Sequence, residues 1–80
     1  MVELSQNQVE KIKNEIQLKV GSNIRKIRKE KKISQIELAN RCNSDRQYLY
    51  KIENAKVGIS IAKLAIIAHA LEIEISELLK

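Results

Sequence analysis

The chain has 80 residues, enough for one domain with a single small core and no room for a second. Its 44% hydrophobic and 31% charged residues, with no proline and two glycines, fit a compact helix-rich domain better than a disordered tail or a sheet sandwich. A formal charge of +5 makes nucleic acid or an anionic membrane surface the first partners to consider, while one cysteine and one histidine exclude an internal disulfide and a zinc site within one chain.

The charge is unevenly placed. Residues 1–21 are net zero, residues 22–56 carry ten positive and four negative groups for +6, and residues 57–80 are −1. The start lacks the basic region and apolar stretch of a signal peptide, and the longest uncharged apolar run, Leu64 to Leu71, is far short of a membrane span. A cytoplasmic protein is expected.

In chain order, the first predicted helix runs from about Ser5 to Val20, with Val9, Ile12, Ile16 and Val20 on one face at steps of three and four. That amphipathic face has to be buried somewhere, either over the domain's own core or in a homodimer interface. Gly21 and Ser22 end this helix and cap another, or one bent helix continues through them. Ile24, Ile27 and the stem of Arg28 line the inner face of the segment up to Lys32, and its basic run is read as a solvated face with a phosphate contact or two.

Ser34-Gln35-Ile36-Glu37 fits a capping box, starting a short helix from about Gln35 to Arg41. Cys42-Asn43-Ser44 reads as a turn with Asn43 in a left-handed conformation, and Asp45 as the N-cap of a helix from about Arg46 to Glu53. Asn54 to Ile59 is loop. Ser60 caps a very apolar fourth helix, and Ser76 caps a last turn or two through Leu79. Cys42 is read as a small buried residue, and no nucleophile–base pair at catalytic spacing is found, so no enzyme is expected.

Two short helices joined by a tight turn, in the most basic part of the chain, meet the requirements of a helix-turn-helix DNA reader. Ala39 is small enough for a close helix crossing, Asn43 suits the turn, and Leu49 and Ile52 are apolar on the second helix's inner face. With those two turned inward, Gln47, Tyr50, Lys51 and Asn54 share the opposite face and Arg46 projects from the exposed end. Arg46 can bridge the O6 and N7 of guanine and Gln47 can pair with adenine.

The stretch from Ile24 to Gln35, then Glu37-Leu38-Ala39 and Lys51 to Lys56, resembles the phage repressor/Cro-type (XRE-like) helix-turn-helix family, and the similarity extends to Ser76-Glu77-Leu78-Leu79. Asp45 to Leu49 is also similar to the recognition-helix start of restriction–modification controllers. The resemblance implies an all-α, five-helix repressor-like DNA-binding domain at residues 21–80, with residues 1–20 as an additional or extended N-terminal helix. It implies that the helix after Asp45 enters the major groove with its first turns at base edges, while the Ser34-Gln35 helix start and the Asn54–Lys56 loop hold phosphates. Together with the exposed face, this gives expected base contacts from Arg46, Gln47, Tyr50 and Lys51 and phosphate contacts from Ser34, Gln35, Tyr48, Asn54, Lys56 and Arg25, with partial packing as the alternative for the tyrosines. Lys32 and Ala55 stand where the family often has glycine, and a positive φ at either costs on the order of 1 kcal/mol. Ser44 replaces a usual apolar residue and Ile59 a common proline.

The function expected is a sequence-specific transcriptional regulator binding double-stranded DNA as a homodimer on a pseudo-palindromic operator, without a cofactor. The alternative is an antitoxin or adaptor whose main role is binding another protein. A membrane-surface role is disfavoured by the net neutrality of the first helix.

Overall fold

The computed structural model describes residues 2–80. Its elements are α1 (Gln6–Glu30), α2 (Gln35–Arg41), α3 (Arg46–Glu53), α4 (Ile61–Ala70) and a final 3-10 turn (Ile75–Leu78). The fold is all-helical among the described residues, with four α-helices where five were expected. The difference lies in the last element, which is a single 3-10 turn rather than an α-helix; at Gly21 the first helix runs on without a break, the extended one of the two arrangements expected there.

The continuity of α1 has a tertiary origin. A Cβ on Gly21 would lie 2.5 Å from the carbonyl oxygen of Ile52 and 2.8 Å from that of Glu53, so the glycine is where α1 and the end of α3 touch backbone to backbone. Gly21 therefore serves a close approach and not a chain turn; neither glycine has positive φ. At about 1.5 Å per residue α1 runs roughly 37 Å, longer than any core this small chain can supply. The molecule accordingly measures 42 × 24 × 20 Å. The first turns of α1 project from the body, and the apolar face expected to be buried is covered within the chain only at Val20; Val9, Ile12 and Ile16 stay 38%, 51% and 44% exposed.

The helix starts follow from local chemistry. The side chains of Ser34, Asp45 and Ser60 each accept the backbone N–H three residues on, at 3.0, 2.7 and 3.0 Å. At Ser34 only half of the capping box forms, because the Glu37 carboxylate turns to the guanidinium of Arg41 at 2.7 Å. A reciprocal box forms instead at the start of α1, between Ser5 and Gln8. Ser76 does not cap the last element. It lies inside the 3-10 turn, which follows Glu74 without a side-chain cap and is held by the fully buried Leu78, whose carbonyl accepts from Asn23 Nδ2 at 3.0 Å.

All four α-helices end the same way. Lys32, Asn43, Ala55 and Glu72 have φ of 59°, 54°, 57° and 59°, and the residue after each donates its N–H back to a carbonyl five positions earlier, as from Ile33 to Arg28 and Lys56 to Lys51. The sequence flagged the first three; Glu72 was not singled out. None is glycine, so Lys32, Ala55 and Glu72 store strain, while Asn43 is of the non-glycine type that tolerates this conformation best. Lys32→Gly should raise stability by about 1 kcal/mol, lifting Tm by about 4–8 °C in thermal unfolding; an unchanged or lower Tm would show the left-handed lysine to be unstrained.

The core lies between the four helices and the last turn. Ile24, Leu38, Ile67, Leu71 and Leu78 are its fully buried large side chains, with Ala39, Leu49, Ile52, Leu64 and Ala68 packed among them. Burial of each large apolar side chain contributes about 1.5–3 kcal/mol. This packing fixes α2 against α3 and α3 against α1.

Candidate nucleic-acid interface

Ala39 on α2 is 2% exposed, and its small side chain lets α2 and α3 cross closely. The turn between them is held from outside by Lys63 of α4, whose Nζ donates to Ser44 Oγ. That bond gives the serine a role that an apolar residue could not fill. The same ammonium sits 5.3 Å from the centroid of the Tyr48 ring. Cys42 is buried beneath the turn; burial pushes its thiol up, with Lys63 opposing, so burial favours the neutral thiol.

Leu49 and Ile52 turn α3's inner face into the core, which leaves Arg46, Gln47, Tyr50 and Lys51 exposed. Beside them opens a shallow depression of about 500 Å³, and six of the ten expected contact residues line it: Arg25 from α1, Ser34 and Gln35 from the start of α2, Arg46 and Tyr50 from α3, and Asn54 just past its end. Gln47 and Lys51 lie on α3 outside this lining, and Lys56 is exposed in the following loop. Tyr48 is placed differently. It is half-buried on the other flank of α3, against the core and under Lys63, where its neighbours are Cys42, Ser44 and Ile67.

The floor of the depression is a buried ion pair. Arg28 is 7% exposed rather than part of a solvated basic face. Its Nε and Nη2 donate to the two carboxylate oxygens of Glu53 at 2.7 and 3.1 Å, and its Nη1 donates to the carbonyl of Ile33 at 2.9 Å. Gln35 Nε2 donates to Glu53 Oε1 at 3.1 Å, so one carboxylate ties α1, the start of α2 and the end of α3 together. Every buried side-chain polar atom among the described residues has a partner. Sequence reasoning missed this network. The stem of Arg28 was expected on the inner face, but its guanidinium was counted with the solvated run, and Glu53 offered only its place beside the buried Ile52.

Pairing Arg28 with Glu53 removes one charge of each sign from the surface, so the excess over residues 22–56 remains for ligands. Arg25 and Arg46 face the depression with hydrogen-bonding neighbours between them, an arrangement suited to an anionic, edge-presenting polymer. Asn54 spends one N–H on the carbonyl of Tyr50, 2.9 Å away, which closes α3.

A helix-turn-helix family model (HTH_3) matches residues 24–78, more than two thirds of the chain. The chain belongs to the phage repressor-type (XRE-like) helix-turn-helix family. It is 42% identical over 57 residues to the immunity repressor protein of Bacillus phage phi105, a match covering 71% of the chain but only 40% of that repressor, so the chain spans about two fifths of its length. Among solved structures it resembles the restriction-modification controller protein C.AhdI from Aeromonas hydrophila, with TM-score 0.75 and 34% identity over 78% of this chain and 94% of that one. It also resembles SinR, a master regulator for biofilm formation solved in complex with DNA, with TM-score 0.70 and 34% identity over 76% and 98% of the two chains. These helix-turn-helix relatives are transcriptional regulators and controllers. The matched span begins at Ile24, inside α1, so the projecting part of that helix lies outside it.

Proposed function

We propose that this helix-turn-helix protein is a cytoplasmic, sequence-specific transcriptional regulator that binds a pseudo-palindromic operator as a homodimer. Residues 21–80 form the DNA-binding domain and residues 1–20 its helical extension. Arg46, Gln47, Tyr50 and Lys51 face base edges; Ser34, Gln35, Arg25, Asn54 and Lys56 hold phosphates. Tyr48 is left to packing because its ring lies on the core side of α3. The observation carrying the reading is the gathering of Arg25, Gln35, Arg46 and Tyr50, from three helices, around one basic depression with a pinned floor. In such a reader the second helix enters the major groove while the first crosses the backbone.

Arg46→Ala should cost roughly 1–3 kcal/mol on the preferred duplex and relax discrimination at one base position, read by titration against a set of single-base variants. An equal loss on every duplex would reassign Arg46 to a phosphate.

The antitoxin or adaptor reading draws on one observation. Val9, Ile12 and Ile16 are exposed on the projecting part of α1, with Leu79 beside Ile12 and Ile16. Ile12→Glu with Ile16→Glu separates the readings: on the regulator reading the variant loses dimerisation and, with it, operator affinity. Unchanged operator affinity with loss of a bound protein favours the adaptor.

A further inference from the structure

One side chain in the depression does not match its surroundings. Ile36, the second residue of α2, is 58% exposed and lies in the same wall as Arg25, Gln35, Arg46 and Tyr50. It is the one aliphatic side chain among the described residues lining that wall. Its helix contributes Leu38 and Ala39 to the core, so Ile36 is not needed there. A single exposed isoleucine on an open surface needs no explanation. One set among cations, on the face that a duplex would cover, loses its water on docking and requires an apolar partner.

Base edges in the major groove offer one such partner. Thymine presents its C5-methyl group there, cytosine does not, and 5-methylcytosine presents the same methyl at the same place. The neighbours of Ile36 at the start of α2, the exposed Ser34 and the half-buried Gln35, are polar and suited to phosphate. We infer that Ile36 packs on the C5-methyl group of a pyrimidine, which makes α2 a reader of base identity alongside α3. The inference rests on the duplex-binding reading above and adds to it a residue and a chemical group.

The test uses the full chain and a duplex selected from random sequences. Each thymine is replaced in turn by deoxyuridine, which keeps the pairing and lacks the methyl, and each cytosine by 5-methylcytosine. Removal of one buried methyl group corresponds to about a fourfold loss in affinity. At one position per half-site, uracil should weaken the wild-type protein about fourfold and leave Ile36→Ala unaffected; that outcome identifies thymine as the source. A gain of similar size from 5-methylcytosine, again confined to the protein that retains Ile36, identifies methylated cytosine. Because Ile36 is exposed, the variant should melt at the wild-type temperature, which separates contact from folding. If duplex selection succeeds and no methyl effect depends on Ile36, the inference is overturned while the regulator reading stands. If no duplex is preferred over any other, both fall together.

Discussion

Glu53→Ala should remove roughly 3–5 kcal/mol of stability, because it leaves the Arg28 guanidinium buried without its counter-charge. For a chain of this size that lowers Tm by roughly 15–30 °C, enough to leave much of the protein unfolded at growth temperature. The loss is larger than for a surface pair such as Lys11–Glu15, where both side chains are more than half exposed and the expected effect is below about 1 kcal/mol. Replacing both partners, Arg28→Met with Glu53→Met, should recover most of the loss, since no unpaired charge is then left inside. Recovery will be incomplete because the Ile33 carbonyl and the Gln35 amide lose their partners as well. Thermal and denaturant unfolding of the two variants checks this; a single replacement costing less than about 1 kcal/mol would mean that the pair does not hold the depression's floor.

Gly21→Ala sets two effects against each other. In an isolated helix the substitution gains about 0.8–1 kcal/mol. Here the added Cβ meets two backbone carbonyl oxygens at 2.5 and 2.8 Å, which cannot swing aside as the end of a side chain can. Forcing α1 and α3 apart costs more than the helix propensity gains, for a net destabilisation of about 2 kcal/mol or more, and Gly21→Leu costs more still. The same shift moves Arg46 and Tyr50 on α3 away from Arg25 on α1, so duplex affinity should fall even where the alanine variant remains folded. A more stable variant with unchanged affinity would contradict this account of the helix crossing.

What could be read from the sequence was the part determined by nearby residues. The bounds of α2 and α3 follow from Ser34 and Asp45, whose side chains act three positions away, and Ser60 does the same for α4. The exposed face of α3 followed from helical spacing once Leu49 and Ile52 were placed inward. Longer-range matters were hidden. Gly21 looked like a possible helix end because the carbonyls it must avoid lie thirty-one and thirty-two residues on, and the Arg28 guanidinium looked solvated because its acceptor is twenty-five residues away. Ser76 has a capping residue's chemistry but sits inside a turn governed by the burial of Leu78. The stripe Val9, Ile12 and Ile16 shows that amphipathicity identifies a face able to be buried without saying what buries it.

The +5 charge supplies affinity for any duplex, falling with salt at a log–log slope of about −0.9 per phosphate contacted. Choice among duplexes has to come from the side chains in and around the depression. Selection of bound sequences from random duplexes, followed by titration of the selected and unselected pools at several salt concentrations, tests this directly. The account predicts a motif in two inverted copies, bound roughly a thousandfold or more tightly than unselected DNA, with the preference persisting as salt rises. Equal binding to all duplexes, differing only through salt, would contradict it.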